Sequence, residues 1–210
     1  MKYIFFCAVC LISIASNGQE PKAEFDGHKW EAPYNLPHPK DWGIERFLVP
    51  VSFAPEIRYS GVEDIRFTPG WAKPTSEEYW TYAFLWYLNG AVQMDEKTLT
   101  KNLKSYYSGL YKANTGDTTN DTSSVITSVI KVKAEPGDLQ TYKGTVQMMD
   151  YMQKKPILLH CIVHYRYCSK DKKTLLFHEL SPKPFTHSNW IKLNQLWIGF
   201  KCEKANHIAD

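Results

Sequence analysis

Residues 124–180 read SVITSVIKVKAEPGDLQTYKGTVQMMDYMQKKPILLHCIVHYRYCSKDKKTLLFHEL, and this stretch decides the fold. Its apolar residues recur at every second position, the period of a strand with one covered face. In 124–134, Ile126, Ile130, Val132 and Ala134 share one face, while Thr127, Lys131 and Lys133 share the other. Residues 139–149 place Tyr142, Gly144, Val146 and Met148 inward, against Lys143, Thr145 and Gln147 outward. Residues 156–168 align Ile157, Leu159, Cys161, Val163, Tyr165 and Tyr167, and 173–180 return as a fourth strand. Glu135-Pro136-Gly137-Asp138 and Ser169-Lys170-Asp171-Lys172 supply turns between them. Four consecutive strands on short turns predict an antiparallel meander.

Upstream the period changes. Asp95 is a good N-cap, and Leu99, Leu103, Tyr106 and Leu110 follow at helical spacing, so 96–112 reads as a helix packed on one face. Asn114 to Thr122 is a polar loop. Earlier still, 42–50 and 62–67 read as strands, the second closed by Pro69-Gly70. Tyr79 to Leu88 is apolar or aromatic on both alternating faces, which fits a central strand covered on two sides best, with a buried helix as the alternative that periodicity leaves open. Downstream, Pro182 and Pro184 end the sheet, and 187–198 carries Trp190, Leu193, Leu196 and Trp197 on one helical stripe. The expected fold is α+β: a single antiparallel sheet of about six or seven strands covered by two main helices, forming one domain over 42–205.

Residues 19–41 carry four prolines (Pro21, Pro33, Pro37 and Pro39) and read as an extended strap docked by Trp30 and Tyr34. Before them stands Met1-Lys2, an apolar run from Tyr3 to Ile14, and Ala15-Ser16-Asn17-Gly18. A short basic start, an apolar run too short to span a bilayer and a small-residue ending predict a secretory leader over 1–18. The expected location is periplasmic or extracellular. Cys7 and Cys10 lie inside that run; lipidation of Cys10 is the competing reading, and the apolar residues that follow it argue against it.

Without Lys2 the formal charge falls from +3 to +2, with 24 basic and 22 acidic residues. So even a balance gives no reason to expect nucleic acid or an anionic membrane as partner. Cys161, Cys168 and Cys202 remain after the leader. An oxidising compartment favours a bridge, and Cys168 at a strand end with Cys202 just past the last helix is the expected pair. Cys161, on an apolar face, reads as a buried small residue. Three free thiols in unreduced, denatured protein would exclude the bridge.

No motif for catalysis or a cofactor emerges. His178-Glu179 opens like a zinc-protease signature, but Pro182 stands where its second histidine belongs. His160, His164 and Arg166 share one strand face, yet four residues along a strand span about 13 Å, too far for two ligands of one metal. They read as a half-exposed polar sheet face. Glu63-Asp64 are strand neighbours that point to opposite sides, as adjacent strand residues do. No cofactor or metal is expected. The aromatic stretch with Trp71, Tyr79, Trp80, Tyr82 and Trp86 is the best recognition candidate, with Trp71 the most exposed of them.

The phrases ERF, FAP, GVEDIRF-x-PGW and YWTYAFLWYL in 42–88, with LSPKPF and WIKLNQLWIGFKC near the end, resemble a family of uncharacterised exported bacterial proteins. The element order is also similar to antiparallel-sheet domains of the photosystem PsbP type. Neither resemblance implies an activity or a functional residue. The expectation is a non-enzymatic binding or accessory domain for an envelope component, a peptide or an exported protein, with Trp71, Tyr79, Glu63, His160, His164 and Arg166 as candidate binding residues. The alternatives are a hydrolase built from distant residues, with His160, His164, Arg166 and Glu63 the first to test, and an apolar-ligand carrier with a pocket between sheet and helices.

Overall fold

The meander expected from residues 124–180 forms, and it folds back to pair with the N-terminal strands. The computed structural model describes residues 25–116 and 124–203, so the leader read in 1–18 lies outside the described residues. The elements are β1 (Gly43–Val49), β2 (Gly61–Phe67), β3 (Tyr82–Asn89), α1 (Glu96–Thr115), β4 (Ile126–Val132), β5 (Gln140–Asp150), β6 (Lys155–Cys168), β7 (Lys173–Ser181) and α2 (Ser188–Ile198). All seven strands lie in one sheet, in the order β1-β2-β3-β7-β6-β5-β4, and every neighbouring pair is antiparallel. The fold is therefore α+β, with a single open antiparallel sheet and two helices.

The central strands explain their own composition. β3 and β7 sit mid-sheet, and each side chain is buried on one face or the other except Asn89 and the partly covered Lys173. Tyr82, Phe84, Trp86 and Leu88 join the core beneath α1, while Ala83, Leu85 and Tyr87 join a second core beneath α2. Each helix thus covers a different face. Strands buried on both sides read as continuous apolar runs.

Helix α1 starts where Asp95 accepts a hydrogen bond from the Thr98 amide at 2.7 Å, and it ends at Gly116, whose positive φ of 70° allows its N–H to reach the Lys112 carbonyl. Leu99, Leu103, Tyr106 and Tyr107 turn into the core. At Gly109 the helix approaches the β1–β2 connection so closely that a Cβ would lie 1.8 Å from the Phe53 carbonyl oxygen. That contact sets one wall of the site described below.

One face assignment is reversed. In β4, Ile126 and Ile130 are 59% and 61% exposed, whereas Val129 is buried at 7%, and Thr127 donates from Oγ1 to the Thr100 carbonyl on α1. β4 is an edge strand, and α1 meets its Val125–Thr127–Val129 side. In 125–132 the even positions carry Ile126, Ile130 and Val132 and the odd ones only Val125 and Val129, so the periodicity favoured the side that the helix leaves uncovered.

The N-terminal strap and the C-terminal tail close over the α2 face. Tyr34 is 2% exposed and donates to Asp64 at 3.0 Å, while Asn35 and Lys201 exchange two backbone hydrogen bonds at 2.9 Å. Cys168 and Cys202 form the disulfide, with Cα atoms 6.1 Å apart and a sequence separation of 34. Loss of that cross-link in a Cys168→Ala/Cys202→Ala protein is expected to lower the unfolding free energy by about 2–4 kcal/mol, read by urea titration. A loss below about 0.5 kcal/mol would mean that the strap and the α2 core hold the tail unaided.

Candidate ligand-binding site

A cavity of about 310 Å³ opens on the α1 face, beside the edge strand β1. Its floor is the β1–β3 end of the sheet, where Phe67 and Tyr82 lie side by side with ring centroids 5.7 Å apart. One wall is the second half of α1 with Tyr106, Leu110 and Asn114; another is the β1–β2 connection with Val51, Ser52 and Phe53. The turn before β3 contributes Trp71 and Trp80, and Tyr151 reaches in from the β5–β6 turn. Eight of the fourteen lining residues are aromatic, which sets this cavity apart from a generic surface cleft.

The rings are fixed by one another. Trp71 stacks on Phe67 at 4.4 Å and stands edge-on to Trp80 at 6.3 Å. Trp80 meets Tyr151 edge-on at 5.2 Å, and Phe53 meets Tyr106 edge-on at 5.1 Å. Offset and edge-to-face pairs of this kind are favourable beyond the area that they bury. Trp71 is half-buried by this packing, whereas Trp80, Tyr82 and Trp86 are buried.

Polar groups around the cavity are few. The hydroxyls of Tyr82 and Tyr107 bond to each other, and that of Tyr106 donates to Glu63 at 2.8 Å. Glu63 also accepts from the Trp86 indole at 2.6 Å. It is fully buried one layer behind the aromatic wall, and burial pushes its pKa up to about 7 against those two hydrogen bonds. The Trp80 indole N–H is buried without an acceptor at hydrogen-bonding geometry, although it lies close enough to Tyr79 to pull that phenol downward against the stronger effect of burial. Glu45 stands at the mouth on β1, on the same face as Phe47 and opposite Ile65. Its carboxylate reaches solvent yet lies against enough apolar surface for desolvation to raise its pKa, with His28 pulling it back.

The other candidates lie elsewhere. The Tyr79 hydroxyl donates to Asp150 at 2.6 Å and ties the turn before β3 to the end of β5. His160 is half-buried on the α2 face, its ring 5.2 Å from Phe185. His164 and Arg166 share that face, but the expected half-exposed polar surface is corrected here: His164 is 2% exposed beneath α2. Its Nδ1 lies 2.7 Å from Asp138, and its Nε2 lies 3.3 Å from Glu179, within ion-pair reach but off hydrogen-bond geometry. Arg166 Nε bonds the same Asp138 at 2.7 Å and sits 4.0 Å over the ring of Trp197, whose indole also donates to Asp138 at 3.0 Å. Burial alone would push the His164 pKa down, but its hydrogen bond to Asp138 and the nearby Glu179 carboxylate outweigh that and raise it. Burial also works to raise Asp138, and the donors around it reverse the effect. This cluster clamps α2 to the β5–β6 hairpin and presents no open face to a substrate. Asp64 on the same side is likewise consumed by Arg46, Arg66 and Tyr34.

The sequence did not reveal two groups that matter. Asp138 read only as a turn residue; the signal lay in the β5–β6 register, where Gln140 opposes Tyr165 and so brings the turn beside Arg166. Glu45 read only as part of a strand, although the alternation Gly43-Glu45-Phe47 already set it on one face with an aromatic. Cys161 is fully buried, with its thiol pushed up to about 12 by desolvation, which leaves it unreactive. Among the described residues no group of three or more metal-ligating side chains converges, and no helix is long and apolar enough to cross a membrane. Compared with protein-family models, curated proteins and solved structures, the chain shows no match.

Proposed function

We propose that the chain is an exported, non-enzymatic binding protein that holds a small, largely apolar ligand in the aromatic cavity between β1–β3 and α1. The observation that carries this reading is the cavity itself: about 310 Å³, mostly aromatic, with Glu45 as the one charged group among the described residues that line it. Volumes near this lower end suit a small molecule, and apolar lining with a few placed polar groups is the usual composition of such sites. A flat module for protein surfaces would lack the depth. The hydrolase reading requires Glu63 to meet His160 or His164, and the sheet stands between them: Glu63 belongs to the α1 face and both histidines to the α2 face. Export is supported by the leader pattern in 1–18 and by the Cys168–Cys202 disulfide, a bond that persists in oxidising compartments.

Titration with N-phenyl-1-naphthylamine, a neutral apolar fluorophore, tests the reading. Saturable binding at one site is expected, and Trp71→Ala is expected to weaken it about tenfold or more, because the stacked wall over Phe67 is lost. Absence of saturable binding, or equal affinity in Trp71→Ala, would sink it.

A further inference from the structure

The chemistry of the cavity narrows the ligand class, given the reading above. Among the described residues that line it, the only charged side chain is Glu45, and none is a lysine or arginine. The two tyrosines deepest in it, Tyr82 and Tyr106, already use their hydroxyls on Tyr107 and Glu63, so they offer the ligand ring surface rather than hydroxyl hydrogens. Ring faces carry negative potential and attract cations, Trp most strongly. Trp71 and Trp80 stand nearly perpendicular, at 89°, in edge-to-face contact with each other, and Tyr82 lies within 6.4 Å of both, so a group in the cavity is bordered by rings of several orientations. Gly43, two residues before Glu45 on the same face, leaves the surface over Phe67 open beside the carboxylate.

We infer that the ligand carries a positively charged, apolar-jacketed group, such as a quaternary or tertiary ammonium, that enters the aromatic box while Glu45 faces it from the rim.

Two further observations agree with a cation at this place. Glu45 is partly desolvated, and among the described residues no lysine or arginine is paired to it, so a ligand cation would recover the interaction that its surroundings withhold. Glu63, behind the Tyr106 ring, feels the charge of Glu45 as a repulsion. A positive charge between the two acids relieves it, whereas an anionic ligand would add a third negative group. The Asn114 amide is engaged with the Leu110 carbonyl, and it does not compensate an anion.

An isosteric pair makes the test direct. Phenyltrimethylammonium and tert-butylbenzene have the same shape and differ by one charge. Calorimetric or Trp-fluorescence titration of the full mature chain is expected to give about tenfold or greater preference for the cation. In Glu45→Gln the two affinities should converge, and Glu45→Asp should restore part of the preference; circular dichroism checks that each variant is folded. Equal affinity for the two compounds in the unmutated protein, or an unchanged ratio in Glu45→Gln, would overturn the cation assignment while leaving the apolar-ligand reading intact. Failure of both compounds and of the neutral naphthylamine to bind would remove the site and both readings with it.

Discussion

Asp138→Ala is expected to destabilise the protein by about 3–5 kcal/mol, the range for stranding charges whose buried partner is removed. The side chain of Asp138 is entirely covered, and it takes four donors: His164, Arg166, Thr141 and the Trp197 indole. Its removal leaves Arg166 pressed on Trp197 with no counter-charge, and leaves His164 facing only Glu179. His164 can shed its proton; the guanidinium cannot, so Arg166 carries most of the penalty. Urea unfolding reads the loss. Trp197 gives a second readout, because detachment of α2 from the β5–β6 hairpin would move its indole into water and shift its emission to the red. Affinity for the naphthylamine probe is expected to change far less than stability does, since the cluster and the cavity lie on opposite faces of the sheet. A loss under about 1 kcal/mol would show that Arg166 simply rehydrates, as exposed ion pairs do.

Much of this architecture was legible because local signals agreed with the tertiary outcome. Asp95 with the Leu99–Leu103–Tyr106 stripe gave α1, and Pro69-Gly70 and Pro136-Gly137 followed the ends of strands as such residues do. The two-sided apolarity of Tyr82–Leu88 announced a central strand, and the Cys168–Cys202 pair followed from where the elements ended. What stayed hidden depends on strand order. Nothing local says that β7 inserts between β3 and β6, yet that placement sets His178 against Phe84. It also sets Glu179 on the side of His164. The cavity was half legible. Trp71 could be picked out as a recognition residue, but its companions Phe47, Phe53, Tyr106 and Tyr151 come from four separate segments that only packing unites. Ile126 and Ile130 show the converse failure: apolar residues on an edge strand face water when the covering helix sits on the other side.

Two buried groups on the α1 face are expected to give the stability profile opposite slopes with pH. His178 and Glu63 flank Trp86: the His178 ring lies 4.9 Å from that indole, and Glu63 accepts its N–H. Burial drives the His178 pKa from 6.5 down to about 3, and the nearby Phe84 and Leu176 backbone pulls it back up only in part. A depressed histidine favours the fold above about pH 6.5, and that contribution is lost as the pH falls and the unfolded chain takes up the proton. At pH 4 the loss amounts to about 3 kcal/mol, from about 2.5 pH units below the unfolded value. Glu63 works in the other direction. With its pKa raised to about 7, its contribution is complete below about pH 4.5 and disappears as the pH rises through 7, again about 3 kcal/mol in all. His178→Leu should therefore remove the acid weakness: relative to it, the unmutated protein loses about 3 kcal/mol between pH 7 and pH 4. Glu63→Gln should remove the alkaline one, so that the unmutated protein loses about 3 kcal/mol more than the variant between pH 4.5 and pH 7.5. Urea titrations across that range measure both differences. Parallel curves for His178→Leu and the unmutated protein would mean that water reaches the ring, and the α1 core would then be wetter at its centre than the unbroken apolar packing around Phe84 and Trp86 requires.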